Sequence, residues 1–146
     1  MKHNEFIHAL DDARITAAIQ AAEAKSTGEI RVFISTGHCD DALVAARKQF
    51  ERLGLAKTKN RNGVLIFIAP KSQNFAVLGD EAIHACLGDE TWSSIRDVML
   101  EHFQHGDHTG ALLAAITRVG EALARHFPCT TPATNPNELP DKIERD

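Results

Sequence analysis

The stretch that decides the fold is GVLIFIAP, residues 63–70. Residues 64–69 are all apolar, and the run lies between the Asn62-Gly63 pair and Pro70. A short apolar run with such boundaries is typical of a strand that is buried on both faces. Because a strand of this kind needs cover on both sides, the stretch predicts the central strand of a layered α/β domain.

Two further strands are predicted on either side of it in the chain. In residues 29–35, EIRVFIS, the apolar Ile30, Val32 and Ile34 alternate onto one face. Residues 75–79, FAVLG, follow the central strand after a short polar gap, which suggests a hairpin. A helical segment separates the first two strands, so we expect these two to be parallel and the third to be antiparallel.

Helical periodicity surrounds these strands and predicts helices at residues 5–25, 41–53, 81–103 and 108–126, with a break at Gly88. In an alternative interpretation, a break near Asp11 splits the first of these into a short helix and a longer one. Helices before, between and after the strands predict a three-layer α/β/α sandwich around a small mixed sheet, formed by a parallel pair and an antiparallel hairpin strand.

The domain is predicted to span residues 1–127. Residues 128–146 carry four prolines among threonines and asparagines, and they predict a Pro-rich C-terminal tail that is extended or disordered.

Charge and composition exclude several classes of function. The 146 residues include 16 basic and 20 acidic side chains, for a formal net charge of −4. This balance argues against nucleic acid as the partner. The charged N-terminus is unlike a signal peptide, and no apolar run is long enough for direct membrane insertion. Three widely spaced cysteines fit reduced thiols, so we expect a cytoplasmic protein.

The predicted topology gathers acidic residues at one end of the sheet. Two parallel strands start there and the antiparallel strand finishes there, which places Glu29, Asn62, Asp80 and Glu81 in one neighbourhood. The loop before the last helix adds Asp107. Carboxylate and amide oxygens are ligands that Ca²⁺ and Mg²⁺ prefer. In the alternative interpretation, Asp80 only caps a helix, Asn62 belongs to a turn and Glu29 is a solvated edge charge.

The opposite end of the sheet carries other candidates. Ligands of open α/β sheets usually bind beyond the carboxyl ends of parallel strands, where His38, Cys39 and Asp40 lie. These residues are adjacent in the chain, which rarely allows a nucleophile and a base to converge. A histidine cluster, EHFQHGDHTG at residues 101–110, could bind zinc through residues 102–108, or could be a solvated helix end.

Taken together, the motifs resemble the TPM domain family. The resemblance rests on STGEIRVFIS, NRNGVLIFIAP, FAVLGDEAIH and FQHGDHTGALLAAI, with Trp92 in between, and covers roughly residues 5–127. That family includes thylakoid-lumen phosphatases, photosystem-repair proteins and many bacterial proteins. The chain is most similar to short bacterial members without a signal peptide or anchor, which share an ELP-containing tail such as residues 138–140.

The resemblance implies an α/β/α sandwich, divalent cation binding in some members and acid phosphatase activity in plant members. The matching acidic positions are Glu29, Asp80 and Asp107, with Asn62 in the NGV turn. The chain departs from the family at position 82, where Ala stands and many relatives have Gly. A lack of export signal and anchor makes a role in photosystem or envelope maintenance doubtful.

Two functions compete at this point. The first is a divalent-cation-binding interaction or adaptor domain, which acts on a protein partner, including a membrane-associated one. The second is a metal-dependent phosphatase of phosphate monoesters, in which a metal beside Asp80 polarises the phosphoryl oxygen. No nucleophile–base pair stands out in the sequence, and an activity inherited from a family is an analogy rather than a site.

Overall fold

A mixed sheet forms the middle of the fold in the computed structural model, which describes residues 10–58, 60–128 and 143–145. Its strands are β1 (Glu29–Ile34), β2 (Gly63–Ala69), β3 (Asn74–Gly79) and the short β4 (Glu144–Arg145), in the spatial order β3-β2-β1-β4. Strands β1 and β2 run parallel, and β2 and β3 run antiparallel. The predicted mixed sheet, with β2 flanked on both sides, is therefore confirmed.

Four α-helices surround the sheet in the described residues, and an aspartate caps each of them. They are α1 (Asp12–Glu23), α2 (Ala42–Arg52), α3 (Glu81–Gln104) and α4 (His108–His126). The side chains of the caps accept hydrogen bonds from backbone N–H groups of the first turn; the caps are Asp11, Asp41, Asp80 and Asp107. Such caps stabilise a helix start, since the first N–H groups have no partner within the helix.

Two predicted helix features can be compared with these bounds. The alternative break near Asp11 is confirmed, because α1 begins at Asp12 with Asp11 as its cap; residues 5–9 lie outside the described part. The break at Gly88 is confirmed: this residue has φ 77° and ψ 164°, a conformation that glycine adopts without strain.

Apolar side chains fill both sides of the sheet. On one side, Ile30, Val32 and Ile34 pack with the facing residues of β2 against α1, α3 and α4. On the other side, Phe33 and Phe67 stack with ring centroids 5.7 Å apart beneath α2. This alternation along β1 produces three layers, and it confirms the predicted α/β/α sandwich.

The C-terminal segment returns to the sheet. Ile143 is buried in the larger core, and β4 pairs in parallel with the end of β1, Phe33 opposite Glu144. The sequence predicts only three strands, so β4 is an addition to that prediction. Two residues are too short to give a periodic signal. Residues 129–142, the larger part of the predicted tail, lie outside the described residues.

Candidate functional site

Four of the five predicted site residues lie at one end of the sheet: Glu29, Asn62, Asp80 and Glu81. We call this end, together with Arg61, the amino-end edge. In the register, Glu29 is opposite Gly63, and the Asp80 N–H donates to the Gly63 carbonyl at 2.9 Å. The starts of β1 and β2 therefore meet the end of β3, as the predicted topology requires.

An ion pair dominates this edge. The guanidinium of Arg61 donates two hydrogen bonds to Asp80, from Nε at 2.7 Å and from Nη2 at 3.0 Å, and its Nη1 lies 3.5 Å from Glu81 Oε1. The Asp80 side chain is 7% exposed and Arg61 is 44% exposed. The hydrogen bond to Asp80 raises the pKa of Arg61 above its usual value. Both carboxylates thus converge on one positive charge.

Arg61 also has an unusual backbone. Its φ is 51°, in the left-handed region that residues with a Cβ rarely occupy. Two hydrogen bonds hold the Arg61 backbone in this conformation. The Ala82 N–H donates to the Arg61 carbonyl at 3.1 Å, and the Arg61 side chain donates to Asp80. Backbone strain of this kind costs roughly 1–3 kcal/mol and clusters at ligand clamps and active sites.

Asn62 and Glu29 are also buried at the amino-end edge, and their side chains make other contacts. Asn62 Nδ2 donates to Thr27 Oγ1 at 3.1 Å, and Asn62 Oδ1 is buried without a hydrogen-bond partner among the described residues. Glu29 is 1% exposed, so it is not the solvated edge charge of the alternative interpretation. Leu55 packs over Gly63, which lies on β2 between β1 and β3.

Asp107, the fifth predicted residue, lies at the opposite end of the sheet. It caps α4 by accepting from the Gly110 N–H at 2.9 Å, and its other oxygen is 3.1 Å from His102 Nδ1. The hydrogen bond from Gly110, followed by that from His102, lowers the pKa of Asp107 below its ordinary value. Asp107 is therefore not brought together with the other four residues.

The histidine cluster does not converge on one point. His102 contacts Asp107, His105 Nδ1 lies 2.8 Å from the Glu101 carbonyl oxygen, and the His108 ring packs 5.8 Å from that of Phe103. Across the described ranges, no group of three or more histidine, cysteine, aspartate or glutamate side chains is arranged to hold a metal ion.

A cavity of about 440 Å³ opens at the carboxyl end of β2. Its wall is mainly apolar and includes Ile68, Phe75, Leu100 and Phe103, with the buried His108 as its titratable group. Burial lowers the pKa of His108, because the charged imidazolium loses hydration there. This end of the sheet is where ligands of open α/β folds usually bind.

A second polar cluster lies beside the cavity, in the loop after β1. Ser72 Oγ lies 3.1 Å from His38 Nδ1, and His38 Nε2 lies 2.6 Å from Asp40 Oδ1. The sequence pattern groups His38, Cys39 and Asp40, but it does not predict Ser72, which is 34 residues away from His38. Arg61 was not predicted either, although a basic residue in the turn before β2 was a usable signal, since that turn faces the end of β3.

None of the helices in the described residues combines the length and the apolar character that crossing a bilayer requires.

Comparisons with known proteins identify one family and similar solved structures. The chain matches the TPM domain over residues 1–122. It is similar to the NMR structure of the BA42 protein from the psychrophilic bacterium Bizionia argentinensis, with 32% identity, 92% of each chain covered and a TM-score of 0.84. The N-terminal domain of a protein from P. gingivalis shares the fold, with 20% identity, 79% and 76% coverage and a TM-score of 0.60. Among curated proteins, none matches the chain.

Proposed function

From the premise that this chain belongs to the TPM domain family, we propose that it is an interaction domain whose amino-end edge binds a divalent cation, Ca²⁺ or Mg²⁺. Asp80 and Glu81 are the ligands, and Asn62 and Glu29 form the buried polar surroundings. The observation that carries the proposal is that both carboxylates already share one positive group, the guanidinium of Arg61.

Arg61 occupies the position that a metal ion would take. A divalent ion competes for the same carboxylate oxygens, which are hard donors. Release of Arg61 is feasible because its side chain is 44% exposed and its left-handed backbone is strained in the paired state. Two carboxylates completed by water make a weak site, with a dissociation constant of roughly 0.1–1 mM by analogy with low-affinity calcium modules.

Ion binding would reverse the charge of this edge. Asp80, Glu81 and Arg61 together carry one net negative charge, and a bound divalent cation changes this to one net positive charge. The released guanidinium would also be available for a bidentate contact with a carboxylate. We therefore propose an acidic protein segment as the partner, including a segment of a protein at a membrane surface.

Cellular location would decide which ion binds. Cys39 and Cys86 carry free thiols, which fits a reducing compartment and our proposal of a cytoplasmic protein. Because free Ca²⁺ is scarce and Mg²⁺ abundant in the cytoplasm, a site of this affinity would hold Mg²⁺ there.

Calorimetric titration with CaCl₂ and MgCl₂ tests the proposal. We expect Asp80→Asn to lose binding, since it removes a charged ligand while it keeps a side chain able to cap α3. We expect Arg61→Gln to bind the ion more tightly than the wild type, because it removes the internal competitor. Asp107→Asn is the matched control and should bind as the wild type does.

Two results would contradict this proposal. Wild-type protein that binds neither ion at millimolar concentration excludes the site. Binding that is equal in the wild type and Asp80→Asn places the ion elsewhere. Hydrolysis of p-nitrophenyl phosphate that requires the ion and is lost in Asp80→Asn would instead favour the phosphatase alternative.

A further inference from the structure

Side chains from two separate loops form a hydrogen-bonded relay at the carboxyl end of the sheet. Ser72 ends the short 3₁₀ turn that follows β2, and His38 and Asp40 lie in the loop that follows β1. The Ser72 hydroxyl contacts His38 Nδ1 at 3.1 Å, and Asp40 Oδ1 contacts His38 Nε2 at 2.6 Å. Nucleophile, base and orienting carboxylate are thus in the order that hydroxyl activation requires.

In the neutral imidazole of His38, the two contacts are compatible with one tautomer. An ionised carboxylate only accepts, so Asp40 requires the proton of the imidazole on Nε2. Nδ1 is then the acceptor, and the Ser72 hydroxyl donates to it. The Cys39 N–H donates to Ser72 Oγ at 2.7 Å, which orients the oxygen and leaves its second lone pair for attack.

The backbone around Ser72 resembles that of a positioned nucleophile. Gln73, directly after it, has φ 49°, a left-handed conformation that is strained for a residue with a side chain. Nucleophilic serines of α/β hydrolases likewise lie on a strained turn that leaves a strand. A pocket of about 300 Å³, lined by His38, Cys39, Asp40, Lys48 and Phe67 among others, adjoins the relay.

We propose that Ser72, His38 and Asp40 hydrolyse small uncharged carboxylic esters. Ser72 Oγ attacks the carbonyl carbon and its proton moves to His38 Nδ1; the ester C–O bond breaks, and the leaving alcohol takes that proton. Water then attacks the acyl-serine, His38 accepts a proton from it and returns this proton to Ser72, and the carboxylic acid leaves. Asp40 holds the imidazole in the required tautomer throughout.

The charges around the relay select the substrate class. Asp40 and Asp41 line the pocket together with the single cation Lys48. Carboxylates at this position repel phosphate monoesters and other anions, whereas an uncharged ester meets no such repulsion. Lys48 is the lysine in the pocket lining, and its charge would offset the oxyanion of the tetrahedral intermediate.

A fluorophosphonate probe followed by mass spectrometry tests the proposal on the full chain. We expect the probe to label Ser72 of the wild type, and p-nitrophenyl butyrate to be hydrolysed faster than its anionic hemisuccinate counterpart. His38→Gln should lower ester hydrolysis roughly 100-fold and suppress labelling although Ser72 is still present. Because His38 is 72% exposed, this variant should fold normally. Asp40→Asn should cause a smaller loss.

Controls separate this site from its neighbours. Cys86→Ala removes an exposed thiol outside the pocket lining and should keep both labelling and hydrolysis. EDTA should change neither, since the relay uses no ion, so this test is independent of the amino-end edge. An unlabelled Ser72, labelling at Cys39, or ester hydrolysis that is equal in the wild type and His38→Gln would overturn the proposal.

Discussion

The two ends of the sheet are built from the same strands but differ in how their side chains are held. At the amino-end edge, Asp80 is 7% exposed and tied to Arg61. At the carboxyl end, His38 and Asp40 are 72% and 92% exposed, and cavities open beside them.

This difference in exposure follows from the length of the connections between strands and helices. Strand β3 passes into α3 through Asp80 alone, whereas β1 reaches α2 through a loop of seven residues, 35–41. Short connections tie side chains into the fold, and long ones leave them free to meet ligands.

A substitution that disturbs packing should produce the largest difference in stability between variants at the two ends of the sheet. An added methyl at Gly79 would lie 2.6 Å from Cζ2 of the buried Trp92 and 3.0 Å from Ile83, while the same methyl at Gly37 meets nothing within 4 Å. We expect Gly79→Ala to lower the free energy of unfolding by about 3 kcal/mol, because the indole cannot move without disturbing the core. Gly37→Ala should change it by less than about 0.5 kcal/mol. Urea denaturation of both variants measures this, and equal losses would show that the two ends are packed alike.

Removal of a helix cap should have the next largest effect, again unequal at the two ends. Asp41→Ala at the carboxyl end removes hydrogen bonds from Leu43 and Val44 N–H groups and should cost about 1 kcal/mol. Asp80→Ala removes a cap and also leaves Arg61 without its carboxylate, so we expect about 2 kcal/mol. The same pair of denaturation curves in 1 M NaCl should bring the two losses closer, because salt screens the ion pair. A difference that salt leaves unchanged would mean that the charge of Arg61 contributes little.

Much of this fold could be predicted from the sequence because its signals are local. Six consecutive apolar residues in β2 define the central strand, and Asp80 lies directly before the helical pattern that begins at residue 81. The position of Asp80 at the amino-end edge also follows, since it comes directly after β3.

The remaining features depend on contacts between distant parts of the chain. The Arg61–Asp80 pair requires a left-handed φ at Arg61, which no periodic pattern encodes. Ser72 and His38 meet only because β1 and β2 end side by side. Asp107 was expected at the wrong end of the sheet, although the predicted helix 81–103 starts beside Asp80 and leads away from it; α3 ends at Gln104, just before Asp107.

The buried His108 should make the carboxyl end sensitive to mild acid. Burial lowers its pKa in the folded state below the 6.5 of an ordinary histidine. Stability linked to His108 is therefore fully present above pH 6.5 and is lost as the pH falls through the lower pKa of the folded state. We expect the free energy of unfolding of the wild type to fall relative to that of His108→Gln between pH 7.5 and 5.0. Urea denaturation at both pH values checks this, and parallel losses in the two proteins would contradict it.

The smallest effect is expected at Asp107, which is a charged cap without the buried ion pair of Asp80. Its folded-state pKa lies below the ordinary 3.8, so its stabilising effect is present above pH 3.8 and is lost as the pH falls through the lower folded value. Asp107→Asn keeps a good capping side chain, and the wild type should exceed it in stability at pH 7 but not at pH 2.5. Asp97→Asn, at an exposed position within α3, serves as the control in the same thermal unfolding series. If the wild type still unfolds at a higher temperature than Asp107→Asn at pH 2.5, Asp107 stabilises the fold through the shape of its side chain rather than through its charge. The two ends of the sheet would then differ in electrostatics as well as in packing, because only Asp80 would depend on being ionised.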